Sequence, residues 1–168
     1  MAEPGYNDAA DVEALKAWIS NELIPQRVSQ LLLARPRRIL TKTSGTIGTP
    51  GVMTGWVAAA GDGGNAGGLP YSGGIITASS TGIYEVYVLV AYARATGSQG
   101  AASVSLNRNG ADAGFQSSYD YGSGVAGFTS TIAGRIRLTA GDELSLGAAA
   151  AGGTMTISSA SWTIEKVA

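Results

Sequence analysis

The chain has 168 residues and a formal net charge of −1, with 45 % hydrophobic but only 7 % aromatic side chains and 25 glycines. That length holds one domain of about 120 residues with an extension and falls short of two ordinary domains. Cys and His are absent, which excludes disulfides, thiolate and imidazole metal ligands, cysteine nucleophiles and every Ser-His or Cys-His pairing, and leaves only carboxylate, Lys, Tyr or Thr chemistry.

The N-terminal stretch reads as an arm. Residues 1–24 carry Glu3, Asp8, Asp11, Glu13 and Glu22 against Lys16, a balance of −4, while residues 25–42 carry Arg27, Arg35, Arg37, Arg38 and Lys42 with no acid, a balance of +5. A dipolar arm suits docking on a patterned protein surface, because general nucleic-acid binding calls for a basic domain behind it. The start is acidic and polar and lacks the pattern of an export signal, and Leu31-Leu32-Leu33 is far too short to span a bilayer, so a soluble product without a membrane partner is expected.

Within the arm, Val12, Leu15, Ile19 and Leu23 recur at helical spacing with Trp18 at the edge of the stripe. Asn7 or Asp8 can cap the start, and Asp8, Asp11 and Glu13 put negative charge near the positive end of the helix dipole. Pro25 disfavours the α conformation at Ile24, so a kink or restart is expected there, with Val28, Leu31 and Leu32 as a second apolar side. Glu22 and Pro25 interrupt the heptad begun by Val12, Leu15 and Ile19, which disfavours a long coiled coil. Such a stripe must pack on its own domain, on sister arms or on a partner. The candidate anchoring residues are Val12, Leu15, Trp18, Ile19 and Leu23 with Arg35, Arg37 and Arg38; the arginines suit an acidic protein surface or a solvated linker.

From residue 43 on the pattern turns to strands. Ile39 to Ile47 and Val52 to Ala60 are separated by a Thr49-Pro50-Gly51 turn, and the glycine-rich stretch 61–68 reads as a mobile loop. In the longest strand Tyr84, Val86, Val88, Val90 and Tyr92 share one face, with Glu85, Tyr87, Leu89 and Arg94 on the other. Val104 and Leu106 lead into an Asn109-Gly110 hairpin, Ile132, Ile136 and Leu138 alternate with Arg135 and Arg137, and Leu144, Leu146, Met155, Ile157, Trp162 and Ile164 complete the series. Eight to ten short strands without intervening helices predict a mainly β protein, an antiparallel jelly-roll sandwich, with an arm over 1–42 and the jelly roll over 43–168.

Gly82-x-Tyr84-x-Val86, the Asn109-Gly110 hairpin, Ile136-x-Leu138-x-x-Gly141-Asp142-x-Leu144-x-Leu146 and a final apolar strand together resemble the tumour-necrosis-factor-like and complement-globular-head superfamily over about residues 50–168. The resemblance implies a compact homotrimer whose N-terminus leaves from the base, a fold also found as knobs and decorations on bacteriophage virions. No collagen-like stalk precedes the domain, Trp162-Thr163-Ile164 stands where animal members often show Phe-x-Gly, and no disulfide can form. Eight arginines against three lysines and abundant Ala, Gly and Thr point to a GC-rich bacterial or phage genome.

Candidate sites are few. The 61–68 loop lacks the Gly-Lys-Ser/Thr ending of a phosphate cradle, and Asp62 and Asn65 supply too few oxygens for calcium, so no cofactor or metal is expected. Tyr119, Asp120 and Tyr121, flanked by Ser and Gly, have the composition of an adaptable binding loop for a glycan or receptor, or else pack at a subunit boundary or sheet edge. Arg135, Arg137 and Thr131 are expected to point outward, forming salt bridges, lining an axis or facing solvent. Asp142 and Glu143 face opposite ways on a strand and form no acid-base pair. The expectation is a non-enzymatic virion protein made in the host cytoplasm and carried on the virion surface: a homotrimeric knob docked by its arm on a capsid or other virion protein as a decoration or head fibre. The alternative is a tail-fibre or tail-tip head recognising a host-surface glycan; a carbohydrate-active enzyme would need a carboxylate pair that no motif supplies.

Overall fold

The computed structural model describes residues 9–25, 35–60, 62, 68–122 and 127–168. They belong to two compact units, 1–35 and 36–168. In the first, α1 (Ala9–Trp18) runs into a π-helical turn over Ile19–Leu23. In the second, the described strands are β1 (Arg37–Lys42), β2 (Gly45–Ile47), β3 (Gly51–Val52), β4 (Val57–Ala58), β5 (Tyr71–Ser72), β6 (Ile75–Thr77), β7 (Gly82–Arg108), β8 (Ala111–Tyr121), β9 (Phe128–Leu138) and β10 (Glu143–Lys166). The compact unit therefore begins at Pro36, ahead of the boundary at 43 expected from sequence.

All strand pairing grows from one antiparallel ribbon of β7 and β10. The first half of β7 carries β9, from Gly82 opposite Leu138 to Tyr92 opposite Phe128, and its second half carries β8, from Gly100 opposite Tyr121 to Arg108 opposite Ala111. The far side of β10 takes β1, β2, β3 and β6 in turn, with β4 on β1 and β5 on β6. The antiparallel sheet curls into a half-barrel. Short separate strands were expected; the structure instead runs Gly82–Arg108 and Glu143–Lys166 without a break. Register shifts between Ala151 and Ser159 bend the ribbon, and Gly152 at φ 82° takes a backbone conformation closed to most side chains, so the chain curves without a turn.

Period-two alternation sends Tyr84, Val86, Val88, Val90 and Tyr92 into the core, as their spacing predicts, where they meet Val104, Leu106, Leu144, Leu146, Ile157 and Ile164. Trp162 lies fully buried on the same core with Trp56 edge-on at 5.9 Å, a favourable ring geometry. The Asn109-Gly110 turn has φ of 51° and 79°, the left-handed pair that closes a two-residue hairpin. Asp142 ties this hairpin to the β9–β10 turn: its carboxylate accepts from Thr139 N at 2.6 Å, Asn109 Nδ2 at 2.7 Å and Arg108 at 2.6 Å. Asn109 Oδ1 accepts from Glu143 N at 2.8 Å, so each turn holds the other.

β8 and β9 form no ladder with each other among the described residues, and aromatic side chains close the seam between them. Phe115 of β8 lies against Gly134 of β9, where a Cβ would run into its ring. Farther along, Tyr119 stacks on Phe128.

Candidate assembly surfaces

The arm presents its stripe to solvent. Val12, Leu15 and Trp18 are about half exposed (49 %, 55 % and 49 %), Ile19 is 36 % exposed and Leu23 half-buried, so the described arm buries none of the residues that its spacing groups together. Lys16 Nζ meets Glu13 Oε1 at 2.7 Å on an exposed flank. The place of an expected restart beyond Pro25 lies outside the described residues, but Ile24 stays in right-handed helical geometry (φ −64°, ψ −50°) although Pro25 follows. The wide turn explains this: Ile24 N–H bonds five residues back to Ile19 O, and the slack relieves the crowding that a proline imposes on an α-helix. Val28, Leu31 and Leu32 lie outside the described residues.

The arginine cluster is divided. Arg35 precedes the sheet unit, whereas Arg37 and Arg38 belong to β1, so they are sheet residues and not part of a free arm. Arg38 donates from Nε to Leu69 O at 2.9 Å and from Nη1 to Asp62 Oδ2 at 2.9 Å, while Asp62 Oδ1 accepts Ile39 N at 2.7 Å. Asp62, weighed as a calcium ligand, is thereby a structural pin. Among the described residues no group of three or more Asp or Glu gathers as a metal site.

Tyr119, Asp120 and Tyr121 lie on β8 and not in a loop, and strand alternation sets Asp120 on the face opposite the two tyrosines, whose rings both face Phe128. Tyr121 is buried and its hydroxyl donates to Ala151 O at 2.8 Å; Asp120 is exposed. Tyr119 remains 41 % exposed as the outer ring of a stack, 4.1 Å from Phe128, which in turn lies 4.5 Å from Tyr92. Burial pushes the Tyr92 phenol up to about 12. Ser130 opposes that shift, yet the two buried hydroxyls do not meet in hydrogen-bond geometry and neither has a partner among the described residues. Phe128 is not flagged by any sequence motif; only the register that sets it opposite Tyr92 reveals its place.

A third surface is the outward face of β9, β7, β10 and β1. Register places Arg135, Glu85, Glu165 and Arg37 side by side across the four strands, and Ala133, Tyr87, Thr163 and Ile39 in the next row. Arg135 Nε stands 3.3 Å from Glu85 and Arg37 Nε 3.9 Å from Glu165, all four side chains being well exposed. Tyr87 is 46 % exposed and borders a groove of about 280 Å³ lined by Glu85, Glu165, Thr163, Ala133 and Gly134. Arg137, two residues from Arg135 on the same face, is exposed and has no acid within ion-pair distance among the described residues. Sequence alternation identifies Glu85, Tyr87, Arg135 and Arg137 as outward residues but cannot bring Glu165 beside Glu85, which depends on strand order.

Among the described residues no helix is long and apolar enough to cross a membrane. No family model matches the sequence, and no curated protein matches it. Solved structures do match in fold. The TNF protein Eiger from S. frugiperda superposes with a TM-score of 0.63 at 18 % identity, covering 80 % of this chain and 94 % of that one. Murine APRIL superposes with a TM-score of 0.55 at 19 % identity, covering 78 % and 99 %. The chain thus carries a TNF-like antiparallel jelly roll, as the order of its strand and turn residues implies.

Proposed function

We propose that the protein is a non-enzymatic structural component of a bacteriophage virion: a homotrimeric jelly-roll knob held on the particle by its N-terminal helical arm, as a capsid decoration or head fibre. The observation that carries this reading is the arm, where Val12, Leu15, Trp18 and Ile19 remain 36 % to 55 % exposed on a short helix. A helix of this length is marginal in water and becomes stable by docking its apolar face. The TNF-like fold supports the trimeric knob, because members of that superfamily are typically compact trimers. Binding only to the assembled particle would stabilise it by linkage.

Immunogold electron microscopy of purified particles, with antibody against residues 43–168, tests the proposal. Label over the heads is the expected result, and no label on any particle overturns it. A second reading, a tail-tip head recognising a host-surface glycan, is favoured by one observation: Tyr119 offers an exposed ring backed by Phe128, the kind of platform on which a sugar stacks. Label confined to the tail would support it, together with loss of adsorption in Tyr119→Ala; Tyr121 is buried and is the wrong residue to test.

A further inference from the structure

We infer that Asn109 is a deamidation site kept intact by the β9–β10 turn, and that once it reacts the two turns cannot close on each other again. Asn109-Gly110 is the one Asn-Gly pair in the chain. The chemistry uses both residues. The backbone nitrogen of Gly110 attacks the side-chain Cγ of Asn109 and gives up its proton to solvent; the Cγ–Nδ2 bond breaks, the amide nitrogen takes up a proton and leaves as ammonia, and a succinimide ring remains. Water then adds to either ring carbonyl. Breaking the Cγ–N bond gives aspartate, and breaking the backbone C–N bond gives isoaspartate. A side chain on the second residue would shield the attacking nitrogen, but Gly110 has none, and even a Cβ placed there would meet nothing within 4 Å. Both residues are exposed, so the hairpin tip is open to water.

What stands in the way is the clasp between the turns. Asn109 Nδ2 donates to Asp142 Oδ1 at 2.7 Å, Asn109 Oδ1 accepts Glu143 N at 2.8 Å, and the Asn109 N–H donates to Glu143 O at 2.8 Å. Both polar atoms of the amide are thus committed to the β9–β10 turn, and Asp142 is itself fixed by Thr139 N and Arg108. To reach Gly110 N the amide must leave that turn, so the reaction runs only through the opened state and in proportion to its population. The product makes the opening permanent. An aspartate here sets a carboxylate oxygen where Nδ2 now meets Asp142 Oδ1, and the two like charges repel, while Arg108 already serves Asp142 Oδ2. Isoaspartate adds a methylene to the backbone path and spoils the left-handed pair, φ 51° and 79°, on which the hairpin closes.

Peptide mapping by mass spectrometry tests the inference, on full chain held in mildly alkaline buffer and sampled over time: native wild type, wild type unfolded in guanidinium, and Asp142→Ala under native conditions. Conversion at Asn109 should be about tenfold or more slower in native than in unfolded wild type, and Asp142→Ala, shown folded by circular dichroism, should react at least about threefold faster than native wild type. Equal rates in native and unfolded wild type overturn the inference, and this comparison decides even where the variant does not fold. A folded Asp142→Ala as slow as wild type overturns it too. The clash in the product has its own readout. Asn109→Asp, which stands for the aspartyl product, should melt below wild type, and adding Asp142→Asn should restore part of the loss, because one amide again faces one carboxylate. A double variant that melts no higher than Asn109→Asp overturns the permanent opening.

Discussion

Asp142 accepts from Thr139 N–H, Asn109 and Arg108, and these interactions hold its carboxyl below the ordinary aspartate value against the opposing effect of burial. A depressed folded-state value means that the contribution to stability is present above the unfolded value of about 3.9 and is lost as pH falls through the folded one. Asp142→Asn should therefore cost about 1–3 kcal/mol at pH 7 and flatten the acid-side loss of stability, as read from urea titrations at pH 7 and pH 3. Tyr92 behaves in the opposite sense: its raised value keeps the phenol neutral in the fold, so stability is full below about 10 and declines toward about 12 as the unfolded chain ionises first. Because its hydroxyl is buried without a partner among the described residues, Tyr92→Phe should leave stability unchanged or raise it by up to about 1 kcal/mol, and remove this alkaline decline. The Asp142 turn was legible from Gly141-Asp142, but its hold on Asn109 was not, since the two lie far apart in sequence and meet only through the order of β7 and β10.

Among the elements, the inward faces of β7, β9 and β10 were legible because a strand buried on one side must alternate. The continuity of β7 and β10 was not, because the small residues between Val90 and Val104 and between Leu146 and Met155 carry no alternation of large apolar side chains. The β8–β9 seam likewise depends on a close approach that no local pattern announces. Gly134→Ala should push the Phe115 ring from its seat and cost about 1–3 kcal/mol, seen as a lower melting temperature with the same secondary structure. The arginine cluster gives a second test. Arg37 and Arg38 are held in the β1 ladder, and the bond after Arg35 leads into Pro36, which trypsin does not cleave. Trypsin should thus yield no fragment starting at Arg38 or Ile39 from the native protein, and both should appear once urea unfolds the sheet; mass spectrometry of a timed digest reads the difference.

At the scale of the whole molecule, the chain comprises a short helical unit with an exposed stripe and a sheet unit with a hydrophobic core. If three copies associate, the melting temperature should rise with protein concentration, whereas a monomer would melt at one temperature throughout a hundredfold dilution series measured by calorimetry. The jelly roll was legible from the order of its turns; the partners were not, since a surface is defined by what is missing from it. The place of β10 also sets the tempo of biosynthesis. It is the common neighbour of β1, β2, β3, β6 and β7, yet the ribosome makes it after all of them. Those strands emerge with a hydrogen-bonding edge unclaimed and must wait for it, so folding should be slow, and a nascent chain stalled before Glu143 should be the species that chaperones hold.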